Sequence, residues 1–105
     1  MPNSDLKADE VINSIQRSGA RLISLGVKTI GLFGSFARGE ASPESDIDIL
    51  VEFDSGKRTY DNFIDTCFLL EELLGCKVEL VTKEALSPYI KPYVLKEVEY
   101  VPLSS

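Results

Sequence analysis

The sequence contains no histidine and no tryptophan, and only two of its 105 residues are cysteines. Without histidine, the chain cannot assemble an ordinary structural zinc site. Cys67 and Cys76 lack the CxxC spacing of a metal or redox pair, so each is interpreted as a reduced, buried thiol. A metal site in this chain would therefore use oxygen ligands, which favour Mg²⁺ or Mn²⁺ over zinc.

Basic residues are also scarce: eleven Lys and Arg stand against seventeen Asp and Glu, which gives a net charge of −6. No basic stripe is available to displace counterions from a phosphate backbone, so we expect no direct nucleic-acid partner. A basic protein or a metal-chelated nucleotide suits this charge better. No apolar run approaches the roughly 20 residues that span a bilayer, and no signal-peptide pattern is present. We therefore expect a cytoplasmic protein without membrane contact.

At 105 residues and 44% hydrophobic content, the chain is expected to form one domain, residues 1–105, with a modest core. No internal repeat, low-complexity segment or linker divides it. This length leaves no room for a catalytic unit and a separate substrate domain, so an acceptor would have to arrive on another molecule. The sequence leaves the oligomeric state open, a homo-oligomer included.

The hydrophobic pattern predicts the order α, β, turn, β, α, β, α. A first helix is capped at Ser4 or Asp5, interrupted at Gly19 and ended at Gly26, and strands follow at residues 27–33, 46–53 and 77–82. A helix between the last two strands is capped at Thr59 or Asp61 and ends at Leu74. Its predicted inner stripe is Phe63, Ile64, Cys67, Leu70 and Leu74.

This order fits a small α/β or α+β fold, in which a mixed sheet carries helices mainly on one face. Two prolines between residues 83 and 101 limit this tail segment to short helices before a last strand near residues 98–101. The apolar and aromatic residues of this tail are expected to pack in the core rather than to form an interface.

Asp46 and Asp48 stand at the beginning of the predicted second strand. Side chains at i and i+2 of a strand share a face, with Cα atoms roughly 6.6 Å apart, so both carboxylates can reach one metal ion or a pair. The alternating residues on the other face are all apolar and need a cover of helices: Ile47, Ile49, Val51 and Phe53. The alternative is a solvated strand entrance in which the aspartates only end the preceding loop.

Four further residues stand near these aspartates in the predicted topology. Gly34 and Ser35 follow a buried strand and begin a helical turn, which could cradle a phosphate or be an ordinary turn. Glu79 lies in the apolar strand after the second helix, as a third carboxylate and candidate general base, or as an edge-strand glutamate facing water. Arg38 could neutralise phosphate charge, or form a salt bridge to Glu40, Glu44 or Glu52.

The run GSFARGEASPESDIDILVEF, residues 34–53, resembles the signature GSxARGxxxxxSDIDLxV of the minimal nucleotidyltransferases, in the polymerase-beta-like superfamily. The glycines, serine, arginine and both aspartates fall at the family's spacing. The resemblance continues in the first helix, the VELV strand and a tail of the ALxPxI…LxEVxYV kind. It implies the polymerase-beta-like nucleotidyltransferase fold.

By this resemblance, Gly34, Ser35 and Arg38 bind the nucleotide triphosphate, while Asp46 and Asp48 hold two Mg²⁺ ions. The third acidic position, which completes the catalytic and metal-binding set, falls on Glu79. Family members usually have aspartate there, and glutamate is one methylene longer.

The implied reaction is the Mg²⁺-dependent transfer of AMP from ATP to a hydroxyl of a partner protein. Similar minimal nucleotidyltransferases are antitoxins that silence a helical HEPN ribonuclease toxin by transferring AMP to a toxin tyrosine. Two alternatives stay open: a non-catalytic binding antitoxin, and the catalytic subunit of a two-chain enzyme that modifies a small-molecule hydroxyl.

Overall fold

The computed structural model of the chain describes residues 7–40 and 46–103. The predicted helix cap at Ser4 or Asp5 and Glu44 of the loop lie outside these ranges. Within them the chain forms an α+β fold whose elements follow the predicted order, so the predicted fold class is confirmed. The helices are α1 (Ala8–Arg17), α2 (Gly19–Ser24), α3 (Gly34–Ala37), α4 (Tyr60–Leu74) and α5 (Lys91–Glu97), and the strands are β1 (Val27–Phe33), β2 (Ile47–Phe53), β3 (Val78–Thr82) and β4 (Glu99–Tyr100).

The four strands form one mixed sheet in the order β3-β2-β1-β4. Strand β1 pairs antiparallel with β2 and with β4, whereas β2 and β3 run parallel. The register places Asp48 opposite Phe33 of β1 on one side and opposite Glu79 of β3 on the other. The end of β1 and the beginnings of β2 and β3 therefore meet at one edge of the sheet.

The larger hydrophobic core lies on the β2 face that carries Ile47, Ile49, Val51 and Phe53, as the alternation predicts. Helices α1, α2 and α4 cover this face through buried apolar residues: Val11, Ile15, Leu22, Leu69, Leu70 and Leu74. On the opposite face, Gly34 at the start of α3 lies against Asp48. Among the described residues this face also carries a small second cluster, in which Leu50 packs with Leu86 and with Val94 of α5.

Helix α4 begins and ends where the sequence predicts. The Thr59 hydroxyl oxygen accepts a hydrogen bond from the Asn62 N–H at 3.1 Å, and Gly75 ends the helix in the left-handed conformation, at φ 69°. None of the helices within residues 7–40 and 46–103 is long and apolar enough to cross a membrane.

The prediction that the apolar and aromatic tail belongs to the core is wrong for its tyrosines. Tyr89 and Tyr93 are 86% and 74% exposed, while Val94 and Val101 are buried. Helix α5 has 7 residues with a proline in its first turn, and it contributes the buried Val94 and the partly buried Leu95 to the small cluster. The thiols of Cys67 and Cys76 are free, and both residues are only partly buried rather than buried as predicted.

Candidate active site

Gly34 stands at the junction of β1 and α3, directly against Asp48. Its φ of 75° lies in the left-handed region, which side chains other than glycine's adopt at a cost. A Cβ built on Gly34 would overlap Asp48 Oδ2 and would lie 3.0 Å from Asp48 Cγ. Glycine is therefore required here both for the turn and for the close approach of the aspartate.

Asp48 is the most deeply placed carboxylate of the site. It is partly buried within β2, and Glu79 is its register partner on β3. Asp46 precedes the strand and is exposed. Partial burial, followed by the negative charges of Glu79 and Asp46, raises the pKa of Asp48. Asp46 and Glu79 thus lie near enough for their charges to disfavour the ionised form of Asp48, and a cation beside Asp48 would relieve this repulsion.

Glu79 occupies a different setting from the one that made it a candidate. An unpaired charge inside an apolar strand would be costly if it were buried, but β3 is an edge strand and Glu79 is exposed. This is the edge-strand position facing water that the sequence left open as the alternative. Its position beside Asp48, rather than its burial, now supports a functional role.

The donor set suits Mg²⁺ in its chemistry. Within the ranges 7–40 and 46–103, no three acidic or cysteine side chains stand close enough together to hold a metal ion by themselves. Mg²⁺ does not need such a cage, because it commonly binds through one or two carboxylates, substrate phosphates and waters. Asp46 and Asp48 could supply the carboxylate part of that shell, with Glu79 beside them.

Ser35 follows Gly34 in the first turn of α3, where it is partly buried. Its carbonyl oxygen accepts a hydrogen bond from the Glu40 N–H at 2.8 Å, which closes the turn. In the part of the chain that the structure describes, its hydroxyl has no hydrogen-bond partner. The hydroxyl is therefore available to a ligand beside Gly34 and Asp48.

Arg38 stands one turn after Ser35 and is bound by two glutamates. Its Nε donates to Glu40 Oε1 at 3.1 Å, as the salt-bridge alternative predicted, while Glu52 instead accepts from the Thr29 hydroxyl at 3.3 Å. Arg38 Nη1 also lies 3.2 Å from both carboxylate oxygens of Glu97. Hydrogen bonds to Glu40 and Glu97 raise the pKa of Arg38, so the guanidinium stays positively charged.

Glu97, at the end of α5, is the site residue that sequence reasoning missed. Its Oε2 also accepts a hydrogen bond from the Gly34 N–H at 2.8 Å. One carboxylate therefore bridges the glycine turn and Arg38 from 59 or more residues further along the chain. The tail pattern LxEVxYV already contained the signal, because its fixed glutamate falls on Glu97 and Glu99 falls on a variable position.

A mixed sheet that sets a glycine-serine turn against clustered carboxylates is the arrangement of a nucleotidyltransferase-type domain. The model of the nucleotidyltransferase domain family matches residues 12–101 of this chain. The chain therefore belongs to that family, which confirms the resemblance seen in residues 34–53.

The similarity extends to named proteins and to solved structures. Protein adenylyltransferase MntA of Thermococcus cleftensis is 49% identical over 76 residues, which cover 72% of this chain and 76% of that protein. A solved minimal nucleotidyltransferase superposes with a TM-score of 0.72 at 33% identity, over 95% of this chain and 99% of that one.

A complex of tri-AMPylated Shewanella oneidensis HEPN toxin with an MNT antitoxin contains a chain that superposes with a TM-score of 0.55. The identity is 21%, over 85% of this chain and 72% of that chain, so this likeness concerns the fold alone.

Proposed function

We propose that this protein transfers AMP from ATP to a hydroxyl of a partner protein, a tyrosine of a HEPN-type toxin, and thereby acts as an antitoxin. The observation that carries the proposal is the convergence of Gly34 and Arg38 on a single anion, next to Asp48. In this structure the anion is the Glu97 carboxylate, held by the Gly34 N–H and the Arg38 guanidinium. The same two donors fit an oxygen of a triphosphate.

The reaction places a different demand on each group. The acceptor oxygen attacks the α-phosphorus in line, a new O–P bond forms, the bond to the β-phosphate oxygen breaks, and pyrophosphate leaves. The exposed carboxylate of Glu79, beside Asp48, takes the hydroxyl proton. Arg38 and Gly34 hold the negatively charged phosphates, and Arg38 stabilises the charge that grows on the leaving group.

Mg²⁺ held by Asp46 and Asp48 would supply charge neutralisation and a more acidic acceptor hydroxyl. The chain's own contribution is to fix the two carboxylates on one face of β2. Asp48 is kept in place by its strand neighbours and by the backbone of Gly34. Position 34 admits only glycine, because any Cβ there would overlap the Asp48 carboxylate.

Two observations support a protein acceptor. The similar protein from Thermococcus cleftensis is named a protein adenylyltransferase, and the fold is shared with a chain in a complex of an AMPylated HEPN toxin with an MNT antitoxin. Asp46 and Glu79 are exposed, so a large partner can reach them.

A labelling assay tests the proposal. The purified protein is incubated with α-³²P-labelled ATP, Mg²⁺ and the candidate HEPN toxin encoded next to it. We expect the toxin to become labelled. Asp48→Asn should reduce the labelling rate by more than roughly 100-fold, because loss of a residue that only hydrogen-bonds to a metal ligand already lowers activity by up to about 100-fold. The matched control is Asp65→Asn, which removes the same charge from an exposed position on α4.

Other outcomes would favour one of the alternatives. If toxin binding survives in wild type and Asp48→Asn without any label, the protein is a non-catalytic binding antitoxin. That alternative draws on the absence of a ready three-carboxylate metal cage within the described residues. If label appears on a small hydroxylated compound and not on the toxin, the protein acceptor is wrong.

A further inference from the structure

The carboxylate of Glu97 lies in the position that the proposed function assigns to a phosphate oxygen. Its Oε2 accepts from the Gly34 N–H at 2.8 Å, and its two oxygens lie 3.2 Å from Arg38 Nη1. The side chain of Glu97 is 27% exposed, against 47% for Arg38. Water therefore screens the glutamate only in part, and the contact is more than a loose surface pairing.

Glu97 and a triphosphate oxygen compete for the Gly34 N–H. A backbone N–H carries one hydrogen, so the Gly34 N–H cannot serve Glu97 and a phosphate oxygen at full strength. A fixed carboxylate beside the phosphates would also repel them, since like charges at contact distance are unfavourable even near a protein surface. The nucleotide and Glu97 are thus competitors for one position.

We propose that Glu97 determines the nucleotide affinity of the site, because its carboxylate occupies the anion position on Gly34 and Arg38 until a triphosphate oxygen displaces it. The inference rests on the proposed function, which places the nucleotide at these two residues. Nucleotide binding then includes the release of Glu97.

This competition lowers the apparent affinity of the site for the nucleotide. If the site is competent only while Glu97 is released, the apparent Kd equals the intrinsic Kd divided by the released fraction. Glu97 ends α5, which is held to the sheet mainly by Val94 in the small cluster with Leu50 and Leu86. Release of Glu97 therefore loosens the end of α5, and nucleotide binding is coupled to the tail.

Charge removal at Glu97 tests the inference. The variant Glu97→Gln keeps the shape of the side chain and removes its charge. Titration calorimetry of the full chain with a non-hydrolysable ATP analogue and Mg²⁺ is expected to show binding about tenfold tighter than in wild type, or about 1.4 kcal/mol. Glu97→Ala, which removes the competing group altogether, is expected to change affinity in the same direction.

The matched control is Glu99→Gln, which removes the same charge from an exposed position two residues away. Its affinity is expected to stay within about twofold of wild type, because general charge effects at the surface are small. Circular dichroism and thermal unfolding of each variant establish that the fold is retained.

The opposite result would overturn the inference. Unchanged or weaker nucleotide binding in folded Glu97→Gln and Glu97→Ala would mean that Glu97 positions Arg38 for the phosphates instead of competing with them. If nucleotide binding and transfer to the toxin are intact in wild type, such a result affects only this inference. If no variant and no wild-type sample binds the nucleotide, the proposed function fails as well.

Discussion

At Asp48, the ionised side chain that the proposed reaction needs lowers the stability of the folded protein. Burial and the charges of Glu79 and Asp46 raise its pKa, so its ionised form is less favourable in the folded protein than in the unfolded chain. The charge of Arg38 acts in the other direction but does not cancel these effects. The carboxylate is therefore a cost to stability that the site retains for its chemistry.

The first prediction concerns the pH dependence of this cost. A carboxyl whose folded pKa is raised binds its proton more tightly in the folded protein, so stability falls as pH rises from the unfolded pKa through the folded one. Asp48→Asn removes the ionised form, so we expect a higher melting temperature than wild type at pH 7. The difference should shrink as the pH is lowered towards 4.

Thermal unfolding of both proteins between pH 4 and pH 8, in metal-free buffer, measures this difference. The exposed Asp65→Asn serves as the control and should follow wild type across the range. A melting temperature for Asp48→Asn below that of wild type at pH 7 would contradict the electrostatic account.

The second prediction concerns Gly34. Replacement by alanine meets two costs, a left-handed φ of 75° and overlap of the new Cβ with Asp48 Oδ2. We expect Gly34→Ala to lower the free energy of unfolding by roughly 2–4 kcal/mol, and to abolish transfer to the toxin, because the aspartate must move.

Gly56→Ala separates the two costs of this substitution. Gly56 has a similar φ of 78°, but no atom lies within 4 Å of the position that a Cβ would take there. Denaturant unfolding should therefore show a loss of about 1 kcal/mol for Gly56→Ala and a clearly larger one for Gly34→Ala. Equal losses would show that the contact with Asp48 adds nothing.

How much the sequence can predict differs sharply between these residues. The shared strand face of Asp46 and Asp48 and the glycine turn at Gly34 are predicted from strand parity and turn chemistry, because both are local properties of the chain, and their functional roles stay predictions. The contacts of Glu97 are not predicted in this way, since they depend on where α5 crosses the sheet. Even when the bounds of α5 are predicted, they do not show that Glu97 contacts Gly34 and Arg38, which lie 59 or more residues earlier in the chain.

For the helices, the ends are better predicted than the faces. Helix α4 has the predicted cap at Thr59 and the predicted end at Leu74, because capping and left-handed glycine are local chemistry. Of the predicted stripe, Leu70 and Leu74 are buried and Phe63 packs against the larger core, whereas Ile64 and Cys67 are only partly buried. Thr66 and Leu69 are buried in addition. Thr66 can be buried because its hydroxyl donates to the Asn62 carbonyl oxygen at 2.7 Å, which a hydrophobic pattern does not register.

In helix α5 and the turn before it, the sequence predicts burial less well than in α4. The aromatic composition of the tail predicts core residues, yet Tyr89 and Tyr93 point to solvent and only Val94 of α5 is buried. A tyrosine carries a polar group at the end of an apolar ring, so it is compatible with either position. The tertiary packing, and not the composition, decides between them.

Across the whole molecule, the two faces of the sheet differ in what they do. The face under α1, α2 and α4 holds the larger core, which fixes β2 and therefore the spacing of Asp46 and Asp48. The other face carries the carboxylates, with Gly34 of α3 against Asp48 and the small cluster around Leu50 further along the strand. Stability and chemistry are thus placed on opposite sides of one strand.

The last prediction follows from this division. Leu70 is fully buried in the larger core, so Leu70→Ala should lower the free energy of unfolding by about 2–5 kcal/mol. Val94 is 8% exposed and belongs to the small cluster, so Val94→Ala should lower it by only about 1–2 kcal/mol. Denaturant unfolding measures both.

Hydrogen exchange should in addition show faster exchange confined to α5 in Val94→Ala, because that helix can open without disturbing the larger core. If Val94→Ala instead speeds exchange throughout the sheet, or costs as much as Leu70→Ala, α5 is an integral part of the core and the two faces are not independent.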